Sequence, residues 1–148
     1  GNRPSGYWRI PRYFGVPVIF TNGTCSVQYF SLGEKDLYLP RLLTNEASEK
    51  NLSFHDLMSP PISMFGKMQH FQDAGLKWVE NTPKELELVT KEMLERVDDT
   101  LQLTEPNYSL QQRFKKVSEE SGNKYGGGSV KAFAQISRDF LARHTDLL

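Results

Sequence analysis

The chain has 148 residues, with 18 basic and 18 acidic side chains that cancel. That length fits one domain with a real core, and the balance argues against a nucleic-acid or anionic-membrane surface as the main partner, since both need a basic excess. One cysteine, Cys25, excludes an intrachain disulfide or a site of several thiolates, and no apolar run approaches the roughly 18–20 residues needed to cross a bilayer.

The chain opens on Asn2-Arg3-Pro4-Ser5-Gly6, continues through Tyr7 to Phe14, and reaches Gly15-Val16-Pro17-Val18-Ile19-Phe20-Thr21-Asn22. A Ser-Gly turn, a short helix-length stretch and a Gly-x-Pro entry into an apolar strand make half of a βαβ unit. A helix start gathers unpaired N–H groups and partial positive charge, which suits a phosphate. Ser5 and Gly6 could hold phosphate oxygens there, with Arg3, Arg9 and Arg12 supplying charge. The plainer alternative is that Ser5 caps a helix and the arginines are solvated; Pro11 weakens that helix if it lies beyond the first turn. No strand is read ahead of the turn, so the expectation is a C-terminal piece of a larger nucleotide-binding protein.

Val16 to Thr21, between Gly15 and Asn22-Gly23, predicts a strand buried on both faces and the most buried of the fold. Residues 23–35 read as a loop with a short helix around Ser26–Phe30. Asp36 to Pro40 reads as a short edge strand, because Pro40 has no N–H for a ladder. Ser53 caps a short helix over Phe54–Met58, with Asp56 in its first turn, and Ser59-Pro60-Pro61 stops it. Residues 65–74 are weakly helical up to Gly75, and Leu76 to Glu80 alternates as a strand.

Thr82-Pro83-Lys84-Glu85 is a capping box with proline at the first helical position. The helix it opens should turn Leu86, Val89, Met93 and Val97 inward, with Glu87–Lys91 and Glu92–Arg96 pairs on the other face. Two more helices are expected. One covers Ser109–Ser121, with Leu110, Phe114 and Val117 inward; the other covers Ser129–Arg143, with Val130, Phe133, Ile136 and Phe140 inward. Gly126-Gly127-Gly128 between them lacks the Lys-Ser/Thr of a phosphate loop and reads as a connector. His55, His70 and His144 lack metal-ligand spacing, His55–Asp56 reads as a surface pair, and no Ser/His/Asp set assembles. No metal or cofactor is therefore expected. The fold class predicted is α/β, a partial Rossmann-like domain with a small, mainly parallel sheet and several helices. Residues 1–100 would form the α/β part and 101–148 the C-terminal helices.

The order of segments carries a resemblance. Ser5-Gly6, "FGVPVIFTN", "KDLYLPRLL", "NLSFHDLMS", "GLKWVENTPKELELVTKEMLERV" and "ISRDFLARHTDLL" together resemble the C-terminal third of bacterial GT-B-like glycosyltransferases of surface-polysaccharide gene clusters. Non-hydrolysing sugar-nucleotide epimerases carry a similar series. The resemblance implies that a cytoplasmic donor, a nucleotide-diphosphate sugar, binds this domain, with the acceptor held by an N-terminal domain outside the chain. Carried over by residue, Ser5 and Gly6 would meet the diphosphate, Arg9 would be a charge partner, and Asn22 would lie at the ligand-binding end of its strand. The strands and catalytic base expected upstream are absent, so the chain alone is expected to be inactive. The other class left open is a non-catalytic binding or assembly module. The open edge of the Val16–Thr21 strand further predicts self-association, cover by a terminal segment, or poor solubility.

Overall fold

The computed structural model describes residues 9–23, 35–121 and 135–148. The chain runs α1 (Arg9–Tyr13), β1 (Ile19–Gly23), β2 (Leu37–Pro40), β3 (Leu42–Asn45), β4 (Lys50–Asn51), α2 (Phe54–Met58), α3 (Met68–Asp73), β5 (Leu76–Val79), α4 (Pro83–Val97), α5 (Glu105–Glu120), β6 (Gln135–Ile136) and α6 (Arg138–Arg143). The fold is α/β. A three-stranded parallel sheet has the order β1-β2-β6, as expected, and beside it lies an antiparallel sheet of order β4-β3-β5 that the sequence did not announce.

The two sheets share one extended stretch. Arg41 alone separates β2 from β3, and its N–H still donates to Gly23 O at 3.1 Å. Pro40 explains the change of sheet: it has no N–H to continue a ladder, so pairing shifts beyond it. Contrary to expectation, Leu37–Pro40 is the central strand and not an edge. All four of its residues are buried, which is what a parallel strand covered on both faces requires.

The reading of Val16–Thr21 needs a matching correction. The strand is Ile19–Gly23, its residues are only half-buried or exposed, and Val16 lies 52 % exposed outside it. Among the described residues β1 has one neighbour, so a share of its surface stays uncovered. The opposite edge is closed by a side chain. Gln111 on α5 donates through Nε2 to Ile136 O (2.6 Å) and accepts from Ile136 N through Oε1 (3.3 Å), occupying both groups an added strand would use. Ile136 therefore belongs to a strand, not to a helix beginning near Ser129; residues 122–134 lie outside the described part, as do Val130 and Phe133.

α4 forms as its cap dictates. Thr82 Oγ1 accepts from Glu85 N at 3.2 Å while Glu85 Oε2 accepts from Thr82 N at 2.7 Å, with Pro83 at the first turn. It packs on β1, β2 and α6. Val89 and Met93 are buried as expected, but Val97 is 57 % exposed and Glu92 is fully buried. The helix is thus rotated toward Glu85 and Glu92. Glu92 accepts from the Arg138 N–H (2.9 Å) and from Arg96 Nη2 (3.2 Å), so it satisfies the start of α6 from inside the core. Glu87 and Lys91 form the expected surface pair at 2.6 Å, and Lys84 joins them at 3.0 Å. Those two ammonium groups hold the Glu87 carboxyl down at about 2. α5 begins earlier than read, at Glu105, because Thr104 and Asn107 build a second capping box around Pro106. α2 matches its prediction, with Ser53 accepting from Asp56 N.

Tyr38 at the sheet centre explains Gly23. A Cβ there would lie 2.5 Å from Tyr38 Oη and 2.8 Å from its Cε2, and the Tyr38 ring is buried beside Phe20. Gly23→Ala should lower the unfolding free energy by about 1–3 kcal/mol through overpacking. Urea denaturation with an unchanged midpoint would show that the ring moves aside freely.

Candidate ligand site at the carboxyl edge of the parallel sheet

In an open parallel sheet, ligands bind outside the carboxyl ends of the strands. Here that edge is built from the ends of β1 and β2 and from the chain entering α4. β1 and β2 keep register from Ile19↔Leu37 to Thr21↔Leu39, and then Gly23 pairs with Pro40. Asn22 is the extra residue of this bulge and has φ of 52°, a left-handed conformation that asparagine tolerates better than most residues. Bulges of this kind re-aim a side chain at the end of a strand.

Asn22 meets Asn81 in a reciprocal pair. The Asn22 N–H donates to Asn81 Oδ1 and the Asn81 N–H to Asn22 Oδ1, both at 2.8 Å. Asn81 Nδ2 then donates to Pro40 O at 2.8 Å. One asparagine thus ties the ends of β1 and β2 to the start of α4. Asn22 Nδ2 has no partner among the described residues and stands as a donor at this edge. Arg41, which follows Pro40, is committed elsewhere: its guanidinium pairs with Glu80 at 2.6 Å and stacks 4.5 Å from the centre of the Trp78 ring. In the sequence Asn81 stands only as part of a longer motif. The signal that could have singled it out is its place between a strand and a strong cap, which puts it at this edge.

The start of α4 offers no seat for an anion. The Glu85 N–H is taken by Thr82, proline supplies none, and the Glu85 carboxylate already sits in the first turn, where it repels an anion. His144 Nε2 lies 3.8 Å from Glu85, and burial holds the His144 ring below its ordinary pKa. A cleft of about 600 Å³ lies at the opposite edge, lined by Pro17, Lys35, Arg96 and Gln135. Pro17, Lys35 and Gln135 precede or open the three parallel strands, so that cleft marks the amino edge and not the one where such folds bind ligands.

Of the four site residues expected, Asn22 lies at the carboxyl end of its strand, Arg9 is the first residue of α1, and Ser5 and Gly6 lie outside the described residues. Arg3, Cys25 and Gly126–Gly128 lie outside them as well. His55 and Asp56 are both exposed, and no group of three or more His, Cys, Asp or Glu that could hold a metal occurs among the described residues. No helix among them is long and apolar enough to cross a membrane. Comparisons with family models, with curated proteins and with solved structures find no match to any of the three.

Proposed function

We propose that this chain is the donor-binding portion of a glycosyltransferase for cell-surface polysaccharide, taking a nucleotide-diphosphate sugar at the carboxyl edge of its parallel sheet. The observation that supports this reading most is the Asn22 bulge, which leaves a carboxamide donor at the edge where α/β sheets bind ligands. In this reading Ser5 and Gly6 receive the diphosphate, Arg9 supplies charge, and Asn22 Nδ2 donates to an acceptor oxygen of the nucleotide or sugar. The acceptor and the catalytic base come, in this reading, from a further domain, and the compartment is the cytoplasm.

The test is a titration of the ¹⁵N-labelled protein with uridine diphosphate to about 10 mM, a range that detects weak sites. The expected result is a shift of the Asn22, Gly23 and Asn81 amides and of the Asn22 side-chain NH₂, reduced at least about tenfold in affinity by Ser5→Ala with Arg9→Ala. Shifts confined to other residues, or none, would overturn the proposal.

One observation favours a second reading, a non-catalytic assembly module. Ile10, Tyr13, Phe14 and Val16, in the segment that leads into β1, are each more than half exposed, and among the described residues β1 has one strand neighbour. Exposed apolar side chains and an edge strand both suit a protein partner. Concentration-dependent association without any nucleotide response would favour that reading.

A further inference from the structure

We propose that the shallow cleft on the antiparallel-sheet unit is a saccharide-binding site. It measures about 440 Å³ and is lined by residues between Asn45 and Leu76, away from the Asn22 edge in the chain. Two carboxamides on its wall are locked through their oxygens. Asn45 Oδ1 accepts from Ala47 N and Ser48 N at 3.0 Å each, and Asn51 Oδ1 accepts from Thr44 Oγ1 across the strand pair at 2.7 Å. Each is left with a fixed Nδ2 donor that has no partner among the described residues. Lys50 adds a third donor. Asp56, whose Oδ2 takes the Ser53 hydroxyl at 2.7 Å, leaves Oδ1 as an acceptor.

Apart from Ser48, the rest of the lining is apolar. Phe65 is half-exposed, and its ring is braced edge-on by Phe71 (5.1 Å between centroids) and by His70 (5.7 Å); Ile62 lies beside it in the chain and in the lining. A pyranose presents hydroxyls around its rim and C–H groups on its faces. Its hydroxyls both donate and accept, so preset amide donors, one carboxylate acceptor and an aromatic platform match it. A phosphate-bearing ligand fits less well, because Asp56 cancels Lys50. Saccharide binding follows from the lining alone. A role for the site in holding an outlying part of a glycan, beside the acceptor on the further domain, rests on the glycosyl-transfer reading above.

The experiment titrates the ¹⁵N-labelled full chain with maltotriose, a neutral probe, and with trigalacturonate, an acidic one. Expected are shifts of the Asn45 and Asn51 side-chain NH₂ groups and of amides near Phe65 for at least one probe, saturating by about 10 mM. Asn45→Asp with Asn51→Asp keeps both locked oxygens and removes both donors, so maltotriose affinity should fall about tenfold or more. Spin-labelled maltotriose broadening the same signals in the unmodified chain gives a readout that does not depend on the variant folding. Silence of these residues toward both probes, or a double variant that binds like the unmodified chain, would overturn the proposal. The uridine diphosphate response at Asn22 and Asn81 is read in the same spectra, so either site can fail without the other.

Discussion

Glu92→Ala is expected to lower the unfolding free energy by about 3–5 kcal/mol, the range for removing one partner of a buried charged pair. Glu92 is fully buried and takes both the Arg138 N–H and the Arg96 guanidinium, and alanine would leave the Arg138 N–H in the core with no acceptor and Arg96 with only Gln135. Burial pushes the Glu92 carboxyl above its ordinary value, with Arg138 and Arg96 opposing that shift only in part. A raised folded pKa means that the folded chain holds this proton more tightly than the unfolded one. Its contribution is therefore fully present below the unfolded value of about 4.3 and is lost as the pH rises through the folded value. Glu92→Gln keeps an acceptor for the Arg138 N–H and has no proton to lose. It should destabilise less than alanine and flatten this part of the profile. Urea midpoints measured from about pH 4 to 7 check both statements; parallel profiles for the two glutamate and glutamine proteins would refute the assignment.

The second large effect is expected at Asn81. Asn81→Ala removes the acceptor of the Asn22 N–H and the donor to Pro40 O, leaving two half-buried backbone groups unmet at the sheet end. At about 1–3 kcal/mol for each buried group so orphaned, a loss of roughly 2–4 kcal/mol is expected. Asn81→Asp keeps the acceptor and loses only the donor, so it should fall between alanine and the unmodified chain. Hydrogen exchange distinguishes this from a general loss of stability: the Asn22 and Arg41 amides should speed up more than those of Leu39 or Val89. Uniform acceleration would mean that the three-way tie does not hold the edge.

How much was legible beforehand follows the reach of the interactions. The capping box at Thr82–Glu85 and the Ser53 cap are satisfied within a few residues, and both formed as read. The inward face of α4 was misread because its apolar stripe counts carboxylates as outside, whereas Glu85 and Glu92 each have a duty inside, on Thr82 and on Arg138. Ile136 fell on a helical period with Phe140, yet its backbone is claimed by β2 and by Gln111, which is 25 residues away. The central place of Leu37–Pro40 was hidden by Pro40, whose missing N–H marks where the strand changes sheets and not an outer edge. For the site, sequence pointed to Asn22 but not to Asn81, because their pairing spans 59 positions and leaves no local pattern.

The shared strand at Arg41 has an evolutionary consequence. Residues 42–79 leave the parallel sheet at Arg41 and return at Glu80, and the two side chains at the gate touch at 2.6 Å. An excursion whose entrance and exit are neighbours adds little closure entropy however long it grows, since each doubling costs only about 0.6 kcal/mol. The antiparallel unit is thus topologically a cassette. Its loops can lengthen behind the Arg41–Glu80 gate while the Asn22 edge and α4 keep their places, but α2 within it cannot be exchanged freely, because Phe54 packs on Phe114 of α5 and Phe140 of α6 in the shared core.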